Sequence, residues 1–104
     1  MAWVYLLAAG FMEIAWVVAL KQSQNFSQHL PSIIFVITAI LSVLLLSLAL
    51  KQLPLGTAYA VWTGIGACGV AIVGMIFFGD SASPVRIAFL LMICAGIVGL
   101  KFTV

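Results

Sequence analysis

Glu13 is the side chain best able to do chemistry in this sequence, and it stands where a carboxylate is hardest to keep. The stretch "AAGFMEIAWVVALK", residues 8–21, carries no other charge before Lys21. As a helix in lipid it holds the carboxylate about halfway along, too deep to reach water, at a cost of about 2.5–3.5 kcal/mol on insertion scales. Ionisable groups kept at that depth mark ion or proton paths; the bland alternative is a protonated acid bonded to a nearby carbonyl. Trp16 follows by three residues, so indole and carboxylate share a helix face. In a later apolar run, "GTAYAVWTGIG" sets Tyr59 and Trp62 at the same spacing. Aromatic faces attract cations, and a Tyr O–H or Trp N–H can donate to a carboxylate. Membrane aromatics also serve as interfacial anchors, and Tyr59, near the start of its run, fits that role too. Ser42, at mid-depth of another run, is a candidate hydrogen-bond partner for Glu13.

These groups need helices that cross a bilayer to position them. The chain has 104 residues, of which 66% are apolar and 6% charged, and its mean hydropathy is +1.39. That lies far outside the soluble range. Four apolar segments, about 2–20, 31–50, 55–78 and 85–103, are each long enough to cross a hydrocarbon layer of about 30 Å. The expectation is an all-α membrane protein with four transmembrane helices in a single domain, residues 1–104. The first segment has no basic leader and carries Glu13, so it is read as a retained helix rather than a signal. "KQSQNFSQHLPS", residues 21–32, is the longest loop and holds His29, with Pro31 suited to the first turn of the second helix. Pro54 and Gly56 punctuate the second connection, and Ser83 and Pro84 form the N-cap and first residue of the fourth helix.

Several function classes recede on the same data. A net charge of +2 scattered among loops argues against nucleic acid. Cys68 and Cys94 fall near the centres of the third and fourth spans, where a thiol behaves as a small hydrophobe, and they form neither a disulfide framework nor a metal spacing. No nucleophile–base pair, metal cluster or phosphate loop supports an enzyme, and no cofactor is expected. Lys21, Lys51 and Lys101 sit at span ends, where they snorkel to headgroups, and Asp80 and Arg86 flank a loop with no assigned role.

Four helices are too few to surround an aqueous path and pack together, so the chain should be an oligomer. Lys51 and Lys101 lie on one side of the membrane, Lys21 and Arg86 on the other. This two-against-two score gives little preference for either orientation, unless the N-terminal amine or the loop lengths tip it. A partner inserted upside down would form an inverted repeat with its site near the midplane, two copies of Glu13 facing one cavity. Ala95, Gly96 and Gly99 in "CAGIVG" read as a packing face between chains. Gly64 and Gly66 read either as a hinge in the third helix or as sites of close packing.

"GFMEIAWVVALK", "LPLGTAYAVWTGIGA" at residues 53–67 and "RIAFLLMICAGIVGLK" ending at Lys101 resemble the small multidrug resistance transporters, within them the guanidinium exporter subtype. The resemblance covers essentially the whole chain. It implies an antiparallel, dual-topology homodimer of the bacterial inner membrane that exchanges a cytoplasmic guanidinium-type cation for external protons. It maps the shared proton and substrate site onto Glu13, the other site residues onto Trp16, Ser42, Tyr59 and Trp62, and the hinge onto Gly64, Ile65 and Gly66. The drug-exporting subtype has a small residue where Trp16 stands, so export of larger quaternary ammonium compounds is the first rival reading. A non-transporting assembly subunit, with Glu13 paired to a partner's basic group, is the second.

Physical chemistry is consistent with what the resemblance implies. Guanidinium is planar, donor-only and always charged at physiological pH, and a carboxylate can take it through two parallel hydrogen bonds. Trp16 from both chains would narrow the pocket toward a small flat ion. Two facing carboxylates would titrate as one unit, occupied by cation or protons but hardly both.

Overall fold

Proline, glycine and serine set the helix boundaries. The computed structural model describes residues 1–103 and has four helices: α1 (Ala2–Gln22), α2 (His29–Ala49), α3 (Leu55–Phe77) and α4 (Pro84–Thr103). All four are long and apolar enough to span a bilayer, and no strand occurs among the described residues. The spans match those expected from sequence except at the first connection, which is shorter. His29 opens α2 instead of lying in a solvated loop. Local bonding explains the difference. The buried Ser23 donates from Oγ to the Leu20 carbonyl at 2.7 Å and accepts the Phe26 N–H at 3.2 Å. Gln24, Asn25 and Phe26 then take left-handed φ values of 49°, 61° and 67°, and the Gln28 N–H closes on the Ser23 carbonyl at 3.0 Å. Such backbone is uncommon outside glycine and reverses the chain within a few residues. At α4, Ser83 Oγ accepts the Arg86 N–H at 3.3 Å, and Pro84 takes the first position, as the sequence predicts.

The helices lie side by side in the order α2, α1, α3, α4; α2 only grazes α3, and the α4 backbone packs on α3 alone, with Lys101 reaching over the Trp3 ring of α1. They form a slab of 42 × 35 × 16 Å with a radius of gyration of 14.5 Å, against about 13 Å for a compact domain of this length. A closed bundle is therefore not what four spans produce here. Lipid tails are as apolar as leucine, so nothing drives lipid-facing side chains inward. Helices associate only along seams that fit closely.

Small residues make those seams. Leu6, Ala9, Ala49, Ala58 and Val61 have no accessible surface. A Cβ on Gly10 would lie 2.7 Å from Ile65 Cγ2, one on Gly64 would lie 2.7 Å from Ile97 Cδ1, and one on Gly69 would overlap Ile14 Cδ1. A polar tie adds to the fit: Ser42 Oγ on α2 donates to the Ala9 carbonyl of α1 at 2.8 Å and accepts from Trp62 Nε1 of α3 at 2.9 Å. On the outer edge, α4 has no buried residue, and Cys94 meets Cys68 at 3.2 Å between sulfurs, both thiols free. A Cβ on Gly96 or Gly99 would meet nothing within 4 Å, so the face with Ala95 is unused within the chain.

Two outcomes test these seams by thermal unfolding in detergent. Gly69→Ala should destabilise by about 1–3 kcal/mol, the usual scale of overpacking, and Ile14→Ala in the same chain should recover part of that loss. Ser42→Ala should cost roughly 1–2 kcal/mol because it strands the Trp62 N–H in a dry seam. Ser47→Ala, on the same helix but exposed, should stay within about 0.5 kcal/mol of wild type.

Candidate functional site

Glu13 sits at the middle of α1, as its place in the run predicts. What holds it there is α3. The carboxylate rests directly on Gly66, where any Cβ would overlap it. Its Oε1 is buried and has no hydrogen-bond partner. One turn along, Trp16 packs edge-on against Phe35 of α2, with ring centroids 5.8 Å apart, and its Nε1 is likewise buried and unpartnered. An acceptor and a donor on one helix face thus both lack partners, where a buried unpaired polar group is costly.

The other predicted site residues form a second set. Tyr59 and Trp62 are neighbours on α3, ring centroids 5.8 Å apart, with Tyr59 more than half exposed. Trp62 gives its N–H to Ser42, and Ser42 gives its own proton to Ala9. The sequence-based expectation that Ser42 bonds to Glu13 is therefore corrected: its partner is the backbone one helical turn before Glu13. The reason is satisfaction of orphan groups, since a serine between two helices bonds the nearest free carbonyl and leaves its lone pair for an indole. The two sets still lie close in register, because Ala9 and Glu13 are successive turns of one face.

Both readings of the α3 glycines can be compared with the geometry. Residues 55–77 form one continuous α-helix. Gly64 receives Ile97 of α4, Gly66 receives Glu13, and Ile65 between them fills the space at Gly10 of α1. Close packing accounts for all three positions in this conformation.

Glu13 opens onto a groove of about 360 Å³, lined also by Val17, Thr63, Gly66, Ala67 and Val70, within the range of about 300–1,000 Å³ usual for small-ligand sites. Sequence reasoning missed Thr63 and Ala67. The signal was present: positions 63, 66, 67 and 70 recur at helical spacing and share one face of α3. It also missed the role of Gly66 as the carboxylate's seat. Asp80 and Arg86 reach the far end of the same groove and pair at 3.9 Å. Among the described residues no cluster of potential metal ligands occurs.

Comparison with known proteins places the chain in a family. Residues 1–93 match the family profile described as Small Multidrug Resistance protein. A guanidinium exporter of Salmonella typhimurium is 52% identical over 103 residues, 99% of this chain and 98% of the relative. One from Escherichia coli K12 is equally similar, and one from Citrobacter freundii is 50% identical over the same coverage. With four spans and near-complete coverage, the chain belongs to the small multidrug resistance family and is a multi-pass protein of the bacterial inner membrane.

Proposed function

We propose that this protein exports guanidinium, and small substituted guanidines, in exchange for protons, with Glu13 as the shared site. The observation that carries the reading is the buried, unpartnered Glu13 oxygen at mid-membrane, seated on Gly66 and open to a groove. An acceptor without a donor in lipid is stable only while something else neutralises it. Protons can, and so can a cation rimmed with N–H groups. The names of its relatives, guanidinium exporters at 50–52% identity, support the choice of cation.

The groove is open along its side, so a second wall has to come from another chain. An identical chain in inverted orientation supplies that wall and a second Glu13, and the even split of lysine and arginine between the two sides permits it. Guanidinium then bridges the two carboxylates, two N–H groups to each. Trp16 bounds the site and excludes bulkier cations, while its N–H is available to a carboxylate oxygen. Tyr59, Trp62 and Ser42 hold the adjoining wall. The small face of Ala95, Gly96 and Gly99 is left free for packing between chains.

Exchange follows from mutual exclusion. Two protons neutralise the carboxylate pair, one guanidinium ion halves its charge while filling its acceptor sites, and an empty doubly charged pair is too costly to cross between inward-facing and outward-facing forms. Bending at Gly64, Ile65 and Gly66 in one chain, with its inverted partner straight, would close one mouth and open the other.

Purified protein in liposomes should release protons when guanidinium is added, and Glu13→Gln should reduce the signal to that of protein-free liposomes. Unchanged exchange by Glu13→Gln, or termini that all map to one side of the membrane, would overturn the mechanism. Trp16→Ala should weaken growth protection against guanidinium and strengthen it against a hydrophobic quaternary ammonium compound. Protection by the unaltered protein against the latter alone would favour the drug-exporting reading.

A further inference from the structure

Asp80 is the second carboxylate of the chain, and the function proposed above gives it no part. It is not a loose loop charge. Gly79 turns the backbone with φ +74°, the Asp80 N–H returns to the Gly74 carbonyl at 3.0 Å, and the carboxylate lies on Gly74, where a Cβ would overlap Oδ2. Backbone and side chain are both anchored to the end of α3. From there Asp80 lines the groove that also contains Glu13. The groove therefore joins the two acidic residues of the protein, one at mid-membrane and one at a helix end.

Its counter-ion is informative. Arg86 Nη2 lies 3.9 Å from Asp80 Oδ2, with the two side chains 38% and 48% exposed. A charge-assisted N–H···O bond is about 2.7–2.9 Å long, so this is a loose pair of the kind that contributes little at a wet surface. Lys21, which lines an adjoining hollow with Asp80, has its ammonium 5.9 Å from the centre of the Phe78 ring instead. Among the described residues Arg86 is the cation paired with Asp80. The head group of Arg86 is itself a guanidinium, planar and donor-only. A fixed carboxylate in the transport groove is thus seen carrying, weakly, a group of the substrate's own chemistry.

We propose that Asp80 is an outer binding site for guanidinium-class cations, occupied at rest by Arg86, which an arriving ion displaces on its way to Glu13. The inference rests on the export function proposed above. The carboxylate exchanges one guanidinium partner for another, and the displaced Arg86 head group, tethered at the groove end with its side chain 38% exposed, is taken up by water and its counter-ions. In an inverted pair each face of the membrane would present one such site.

The test is the concentration dependence of guanidinium-driven proton release in proteoliposomes. Asp80→Asn should raise KM for guanidinium by about fivefold, the scale of one exposed ion pair, with maximal rate and proton coupling retained. Asp80→Glu, which keeps the charge, should restore most of the affinity. Arg86→Gln removes the competitor and should lower KM. The Asp80→Asn effect should shrink as sodium chloride is raised. A pair that only braces the loop would be broken equally by Asp80→Asn and Arg86→Gln, so shifts of the same sign, or no shift in KM, overturn the proposal. If that happens while Glu13→Gln still abolishes exchange, the export function stands and the outer site alone falls. A wild-type protein that carries no guanidinium removes both.

Discussion

The seam between α1 and α3 positions nearly everything else in this protein. Lipid offers no hydrophobic pull between helices, so two spans stay together only where their surfaces interlock. Here the interlocking is reciprocal. Ile14 and Glu13 of α1 enter the spaces at Gly69 and Gly66 of α3, and Ile65 of α3 enters the space at Gly10 of α1. The carboxylate is therefore one of the knobs of a packing seam. Its depth in the membrane and the direction it faces are set by the same spacing of glycines that holds the two helices together.

Polar groups in the slab divide into two kinds. Some are paired: Ser42 links helices by satisfying the Ala9 carbonyl and the Trp62 indole, while Thr38 and Thr63 return their hydroxyl protons to carbonyls of their own helices. Glu13 Oε1 and Trp16 Nε1 are left unpaired one turn apart. In a solvent that cannot hydrogen-bond, unpaired groups are expensive and are kept where a ligand or a partner chain meets them. In the thin, open slab Glu13 lies on a groove, whereas a closed four-helix bundle would enclose it.

Much of this was legible in the residues. Composition and run length gave four spans with boundaries within a few residues, because a bilayer imposes one length on every crossing and Pro, Gly and Ser punctuate the chain between them. Glu13 and Trp16 stood out because a charge is conspicuous in an apolar run. The first connection was misjudged, since polar residues such as Gln22 and His29 read as loop although Ser23 and three left-handed residues already complete the turn. Ser42 bonds the Ala9 carbonyl rather than the expected Glu13, because spacing along one helix says nothing of which carbonyl on another is free.

Sequence alone determined that this chain crosses the membrane four times and keeps one carboxylate at mid-depth, because both follow from transfer energies that act residue by residue. Tertiary structure decided what the glycines are for and where Asp80 and Arg86 belong. Gly66 carries the Glu13 carboxylate, Gly74 carries that of Asp80, and one groove joins the two acids. Those facts depend on which faces of separate helices meet, and contact between faces is a property of the packed chain rather than of any segment in it.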